Sequence, residues 1–241
     1  MIFRSAYVIG LLVLATPLFA AEEEAEEAAS PWSGSVKLGY LATSGNTESS
    51  SLNSGFQVAY TLEKWLHEAT AAAIQSSESG ATTAEAYDLG WNSRRNITEQ
   101  DFLFGRLDWR KDRFSSIEEQ FSQTVGYGRR LLDKDAHKLD AELGVGARQS
   151  DLTDGTEESE SIFAGRMTYK WTISETSTFG QAFLVESGSS NTFSESVTRL
   201  STRIVGGVAL VASYTVRHNS DVLPGTESTD TFTALSLEYA F

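Results

Sequence analysis

Hydrophobic and polar residues alternate along most of the chain that follows residue 31. The clearest example is residues 138–148, where Leu139, Leu143 and Val145 alternate with charged residues and glycines. Because successive side chains of a strand point to opposite faces, a period of two predicts strands with one apolar and one polar face. The pattern recurs about twelve times in segments of roughly 9–12 residues, the length at which a tilted strand crosses a bilayer.

Two segments fit this pattern poorly. Residues 65–75 include an alanine run at 69–73, which favours a helix, and neither set of alternate positions is cleanly polar. We predict a strand there because its length matches its neighbours and packing commonly overrides propensity. Residues 193–204 are also predicted as a strand, although the sequence leaves open which of its faces is apolar.

The predicted connections alternate between longer loops and short turns. The longer loops are residues 43–48, 76–84, 111–119, 149–159, 187–191 and 218–229, and the short turns are residues 63–64, 96–100, 133–136, 174–176 and 205–207. Outer-membrane barrels have short periplasmic turns and longer external loops. The sequence therefore predicts an all-β fold, a transmembrane antiparallel up-and-down β-barrel of about 12 strands over residues 32–241. A soluble periplasmic β-protein is the weaker alternative, because it has no reason to sort its loops by length.

The N-terminal segment predicts export. Residues 1–20 contain one positive charge at Arg4, an apolar run and a small residue, Ala20, at a plausible cleavage point, which indicates a signal peptide. Residues 21–31 include five glutamates and are predicted to form an acidic periplasmic linker. No other stretch is long and apolar enough for a transmembrane helix, so the protein must cross any membrane with strands.

The last strand of the chain carries an assembly signal. Phe241, Tyr239, Leu237 and Leu235 share one face of residues 231–241, and the chain ends on the phenyl ring. This ending resembles the signal by which the barrel-assembly machinery recognises outer-membrane proteins, with Tyr239 and Phe241 as its key residues. We therefore expect a monomer in the outer membrane of a Gram-negative bacterium, in contact with lipids and lipopolysaccharide.

Composition excludes several functional classes. The chain has 33 acidic and 19 basic residues and a net charge of −14, which argues against nucleic-acid binding. It has no cysteine, which excludes disulfides, thiolate metal sites and iron–sulfur clusters. Its three histidines are far apart in sequence, and no spacing resembles a metal site. The sequence therefore predicts no cofactor and no metal.

Charged residues of both signs fall on the predicted inner faces of the central strands. They are Arg106, Asp108, Arg110, Asp112, Arg130, Asp140, Glu142, Arg148, Arg166 and Lys170. They could form a constriction that selects small polar or ionic solutes, as rings of charge do in pores. They could instead form a polar plug in which opposite charges neutralise one another. The similar numbers of the two signs favour the plug.

Two other sets of residues suggest chemistry. His218, Asn219 and Ser220 are residue types found in an outer-membrane phospholipase, but consecutive positions in a strand point to opposite faces, so a cap at the start of a loop is favoured. The acidic segment 149–159, with the neighbouring Glu160, could bind divalent cations that bridge lipopolysaccharide phosphates. A solvated loop is the more common role of such a charge run.

Several short motifs resemble a known family. These are S-G-N-T at 44–47, R-L-D-W-R-K-D-R-F at 106–114, G-Y-G-R-R-L-L-D at 126–133, L-G-V-G-A-R at 143–148, and V-R-H-N-S-D-V with P-G-T at 216–226. In their order and spacing the chain resembles the YdiY-like salt-induced outer-membrane proteins, whose domain is one of unknown function. The resemblance implies an outer-membrane barrel and no catalytic residues. We expect a non-enzymatic protein, either a narrow pore or a structural, stress-responsive component of the envelope.

Overall fold

The computed structural model describes residues 30–43 and 49–241. In these residues twelve antiparallel strands form a closed barrel in which each strand pairs with its neighbours in sequence and β1 pairs with β12. The strands are β1 (Trp32–Thr43), β2 (Ser49–Thr61), β3 (Trp65–Glu78), β4 (Ala81–Asn96), β5 (Asp101–Asp112), β6 (Ile117–Asp133), β7 (His137–Leu152), β8 (Glu157–Thr172), β9 (Ser177–Ser187), β10 (Thr192–Val205), β11 (Val208–Asn219) and β12 (Thr229–Ala240). The predicted up-and-down barrel of about twelve strands is confirmed. Within the described ranges there is no helix that could cross a membrane.

The predictions for the N-terminus are not tested by this structure. The predicted signal peptide, residues 1–20, and nearly all of the acidic linker, residues 21–31, lie outside the described residues. The same is true of residues 44–48, which include the first predicted loop and its S-G-N-T motif.

Both ambiguous segments form strands. Residues 65–75 belong to β3, which pairs with β2 and β4 along its length, so sheet pairing outweighs the helical propensity of its alanines. In β10, Phe193 is 2% exposed and Glu195 is largely buried, whereas Leu200 and Ile204 are exposed. The odd-numbered residues of β10 therefore face the interior as far as the register shift between Arg203 and Val205.

The predicted alternation of long and short connections is wrong. β3 and β4 are joined by only Ser79 and Gly80, where a nine-residue loop was predicted, and residues 113–116 and 153–156 replace two other long loops. For the β3–β4 connection the reason is that serine residues extend the strands: the Ser50 and Ser77 hydroxyl groups lie 2.8 Å apart on paired strands. Among the described connections only residues 220–228 form a long loop.

The two faces of the wall differ in chemistry. Large apolar side chains are exposed on the outer face, for example Leu143 at 73% and Phe163 at 75%. The interior contains most of the buried charged groups together with a few aromatic rings, such as Phe102 at 0% exposure. A Cβ at Gly128 would overlap that ring, so glycine at this position makes room for Phe102 inside the barrel.

The two ends of the described chain close the barrel. The backbone N–H of Phe241 donates to the carbonyl of Gly34, and the N–H of Gly34 donates to the carbonyl of Phe241, both at 2.9 Å. The ring of Tyr239 stacks with that of Phe241 at 6.4 Å between centroids. The residues predicted as an assembly signal thus lie at the β1–β12 seam.

Candidate functional site in the barrel interior

The ten charged residues singled out from the sequence lie at different levels of the interior. Arg106, Asp108, Arg110, Asp140, Glu142 and Arg166 line a central cavity of about 580 Å³. Asp112 lines a smaller space towards the end of the barrel opposite Phe241, and Lys170 lines a space at the end where Phe241 lies. Arg148 is fully buried between strands. Arg130 lies near the end of β6, where it contacts Asn96 and the Phe102 ring.

Four residues on three strands form one cluster, here called the β4–β7 cluster: Arg94, Arg106, Asp140 and Glu142. Arg94 on β4 donates to Asp140 at 2.8 Å and to Glu142 at 3.0 Å, and both acids lie on β7. Arg106 on β5 pairs with the other oxygen of Glu142, and both of their side chains are 5% exposed. Glu142 is therefore shared by two guanidinium groups. This removes much of the cost of burying its charge.

A second cluster surrounds Arg148, whose side chain is 0% exposed. Its guanidinium group lies 2.5 Å from Glu160 and 3.8 Å from Glu186, and it also donates to the backbone carbonyls of Glu186 and Asn191. Ser122 adds a hydrogen bond to Glu186 at 3.0 Å. This network fills part of the interior, and within it the Nε atom of Arg148 is buried without a hydrogen-bond partner.

A third set of contacts crosses the barrel, and we call it the cross-barrel bridge. Arg217 on β11 donates to both oxygens of Asp88 on β4, at 3.0 and 2.9 Å, and to Glu195 on β10 at 2.7 Å. On β5, the Nε of Arg110 lies 3.8 Å from Asp88, and its guanidinium group packs over the Phe193 ring of β10 at 4.1 Å. β4 and β11 are five positions apart in the twelve-strand circle. The bridge therefore spans the interior from wall to wall.

The bridge separates spaces inside the barrel. Arg110 and Arg217 line both the central cavity and a narrow space of about 40 Å³. Asp112 and Asp230 line that narrow space and a further cavity of about 280 Å³ at the end opposite Phe241. Towards the other end, a space of about 560 Å³ is lined by Lys170 and Arg203, among other residues.

Sequence reasoning missed five charged residues of these clusters: Asp88, Arg94, Glu186, Glu195 and Arg217. Asp88 and Arg94 share the polar face of β4, and Arg217 lies opposite the apolar face of β11, so alternation could have identified these three. Glu195 was not identified, because the sequence of β10 left open which of its two faces is apolar. No local sequence signal could have paired Asp88 with Arg217, which lie 129 positions apart in sequence.

The His218 neighbourhood lacks the contacts of a catalytic pair. The His218 ring contacts the Thr229 hydroxyl at 2.9 Å, whereas the Ser220 hydroxyl donates to the Asn191 side chain at 3.3 Å. Asn219 is buried and accepts a hydrogen bond from Asn191 at 2.7 Å. These contacts connect the start of the 220–228 loop to the 188–191 turn and to β12.

The acidic residues in and next to segment 149–159 have different surroundings in the structure. Glu160, which follows it, points to Arg148, as described above. Asp154 lies in the exposed turn, where the backbone N–H of Thr156 donates to its carboxylate at 2.9 Å and lowers the pKa of that group. These contacts serve folding of the turn.

Comparison with known proteins places the chain in a family. A family described as "Protein of unknown function, DUF481" matches residues 36–241. "Uncharacterized protein YdiY" of Escherichia coli (strain K12) is 32% identical over 229 residues, which cover 92% of this chain and 88% of YdiY.

Solved structures with the same architecture are outer-membrane barrels. The NanC porin aligns with 86% of this chain and 97% of its own, with a TM-score of 0.50 and 10% identity. The COG4313 outer membrane channel of Pseudomonas putida F1 aligns with 92% of this chain and 99% of its own, with a TM-score of 0.49 and 9% identity. At these identities the NanC likeness concerns the fold alone. The family match agrees with the resemblance drawn from the motifs: the chain belongs to the DUF481 family, with YdiY as a relative, and its fold is that of outer-membrane β-barrels.

Proposed function

We propose that this protein is a non-enzymatic, narrow channel of the outer membrane for small polar or ionic solutes. The observation that carries the proposal is the series of polar spaces inside the wall, of about 280, 40, 580 and 560 Å³, with the cross-barrel bridge between the first and the third. A lumen filled only for stability would leave no such cavities between its charges. Cavities lined by ionisable groups instead suit hydrated solutes that pass a charged constriction.

The bridge sets the expected conductance. Because Asp88 accepts from Arg217 across the barrel, solutes can pass only where these side chains leave room or separate. We expect small, discrete conductance steps, because the gap is narrow and charged groups of both signs line it. The ion pair is partly exposed to the cavities, at 27% for Asp88 and 15% for Arg217. Water can therefore compete for both groups.

The channel is tested by single-channel recording of the refolded full-length protein in a planar bilayer. Asp88→Asn should enlarge the steps and shift selectivity towards anions, because it weakens the bridge and removes a negative charge from the constriction. Asp133→Asn is the matched control: it makes the same change of charge at a turn, where Asp133 is 55% exposed and pairs with Lys138. Silence from a folded, inserted wild type, or equal effects of the two variants, would refute the proposal.

A second candidate is a structural envelope component with a plugged lumen. The Arg148 cluster favours it, because a fully buried guanidinium group with two carboxylates blocks its own part of the interior. In that case the folded wild-type protein would give no conductance steps in the bilayer. Its function would then have to be sought on the external loops.

We further propose that the protein is exported with a signal peptide over residues 1–20 and an acidic periplasmic linker over residues 21–31. In this proposal the assembly machinery recognises Tyr239 and Phe241, and the barrel is a monomer in contact with lipids and lipopolysaccharide. The exposed apolar outer face and the position of Phe241 at the seam support insertion into lipid. Fractionation of cells with and without detergent tests the location.

A further inference from the structure

The central cavity holds charges that the ion pairs of the interior do not use. It is lined by five arginines and six carboxylates: Arg94, Arg106, Arg110, Arg166, Arg217, Glu68, Asp88, Asp108, Asp140, Glu142 and Glu195. Among the described residues, Arg166, Asp108 and Glu68 make no ion pair within 4 Å, while all the other arginines of the cavity do. Glu68 accepts a hydrogen bond from Asn92 at 3.3 Å. Arg166 is therefore the one arginine of the cavity that its ion pairs leave to a solute.

Arg166 is left without a partner by the β4–β7 cluster. In the β7–β8 register Arg166 lies directly opposite Glu142, but that carboxylate already accepts from Arg94 and Arg106. A guanidinium group without an ion-pair partner matches the planar geometry of a carboxylate, so Arg166 can hold one even though the cavity is lined by one more carboxylate than arginines.

Polar atoms of the same cavity also lack partners. The buried atoms without a hydrogen bond include Asn92 Oδ1, Arg94 Nε, Arg106 Nε and Asp108 Oδ2, and all four residues line the cavity. Two of these atoms are acceptors and two are donors. Hydroxyl groups both donate and accept, so several hydroxyls on one molecule match this set better than a single ammonium group.

We propose that the central cavity is a binding site for a small polyhydroxylated carboxylate, with Arg166 holding the carboxylate and Asp108 and Asn92 accepting hydrogen bonds from hydroxyl groups. The volume of about 580 Å³ lies within the range of small-molecule sites. The proposal deepens the proposed channel function, because it names the class of solute that the interior would select.

The test is saturation-transfer NMR on the refolded full-length barrel in detergent, with three probes. Gluconate carries a carboxylate and hydroxyls, sorbitol carries hydroxyls alone, and propionate carries a carboxylate alone. Gluconate should bind saturably and about tenfold or more tightly than either of the others, because only gluconate engages both groups. Equal binding of gluconate and sorbitol, or no saturable binding of gluconate, would overturn the proposal without any mutation.

Variants then locate the site. Arg166→Gln should weaken gluconate about tenfold or more, since it removes a charged hydrogen bond. The control is Arg129→Gln, at an arginine that is 50% exposed and does not line the central cavity, and this variant should bind gluconate like the wild type. Heat-modifiable migration on gels checks that each variant is folded. If the two variants bind gluconate equally well, the assignment to Arg166 is wrong.

The same protein samples separate this proposal from the channel function. Conductance without gluconate binding would overturn the binding site and leave the channel standing. Gluconate binding by a barrel that is silent in the bilayer would support the site and overturn the channel.

Discussion

Replacing Arg148 by methionine should destabilise the folded barrel by about 3–5 kcal/mol, the usual cost of removing one partner from a buried ion pair. Methionine nearly matches the length of the side chain but cannot donate a hydrogen bond. It would leave the carboxylates of Glu160 and Glu186, at 5% and 1% exposure, without their guanidinium partner. The carbonyls of Glu186 and Asn191 would lose a donor as well.

The assay is equilibrium unfolding in urea of barrels reconstituted in phospholipid vesicles, followed by tryptophan fluorescence. Lys138→Met is the matched control. Its ammonium group lies 3.4 Å from Asp133, but the two side chains are 58% and 55% exposed. Exposed pairs of this kind contribute about 0–1 kcal/mol, so this variant should unfold near the wild-type urea concentration.

A double variant checks the cause. If unpaired carboxylates cause the loss, Arg148→Met with Glu186→Gln should be more stable than Arg148→Met alone, because one buried charge is removed. A loss below about 1 kcal/mol for Arg148→Met, or no recovery in the double variant, would refute the assignment of this cluster as a buried charge network.

Three further changes test the wall and its assembly. Gly128→Ala should cost about 1–3 kcal/mol by overlap with the Phe102 ring, whereas Gly105→Ala, with no atom within 4 Å of its Cβ, should unfold like the wild type in the same assay. Leu143→Arg on the outer face should cost about 2–4 kcal/mol in vesicles if this position lies near the bilayer midplane, and no loss would contradict a lipid contact there. Deletion of Phe241 should reduce the heat-modifiable, membrane-inserted fraction in cells, and normal insertion of the truncated chain would exclude its role as a signal.

Alternation made the fold predictable from the sequence, because a barrel wall imposes a period of two on every strand. It also identified inward-facing positions such as Arg106 and Glu142 on β5 and β7. It gave the wrong loop lengths, because serine also favours turns and only the register shows that Ser77 pairs with Ser50 in a sheet.

The pairing of the interior charges could not be predicted. Contacts across a barrel depend on its closure and on the stagger between strands, which local sequence does not encode. Asp88 and Arg217 meet only because β4 and β11 face each other in the closed circle. The isolation of Arg166 is likewise a consequence of Glu142 being engaged from two other strands.

The central claim, a channel whose constriction is the cross-barrel bridge, is tested most directly by charge exchange. Single-channel conductance would be recorded for the wild type, Asp88→Arg, Arg217→Asp and the double exchange, all refolded and inserted in the same way. We expect each single variant to have a larger conductance step than the wild type, because like charges repel across the constriction. In the double exchange the step should return towards the wild-type size. A double exchange that conducts like the single variants, or silence from all four proteins, would contradict the claim.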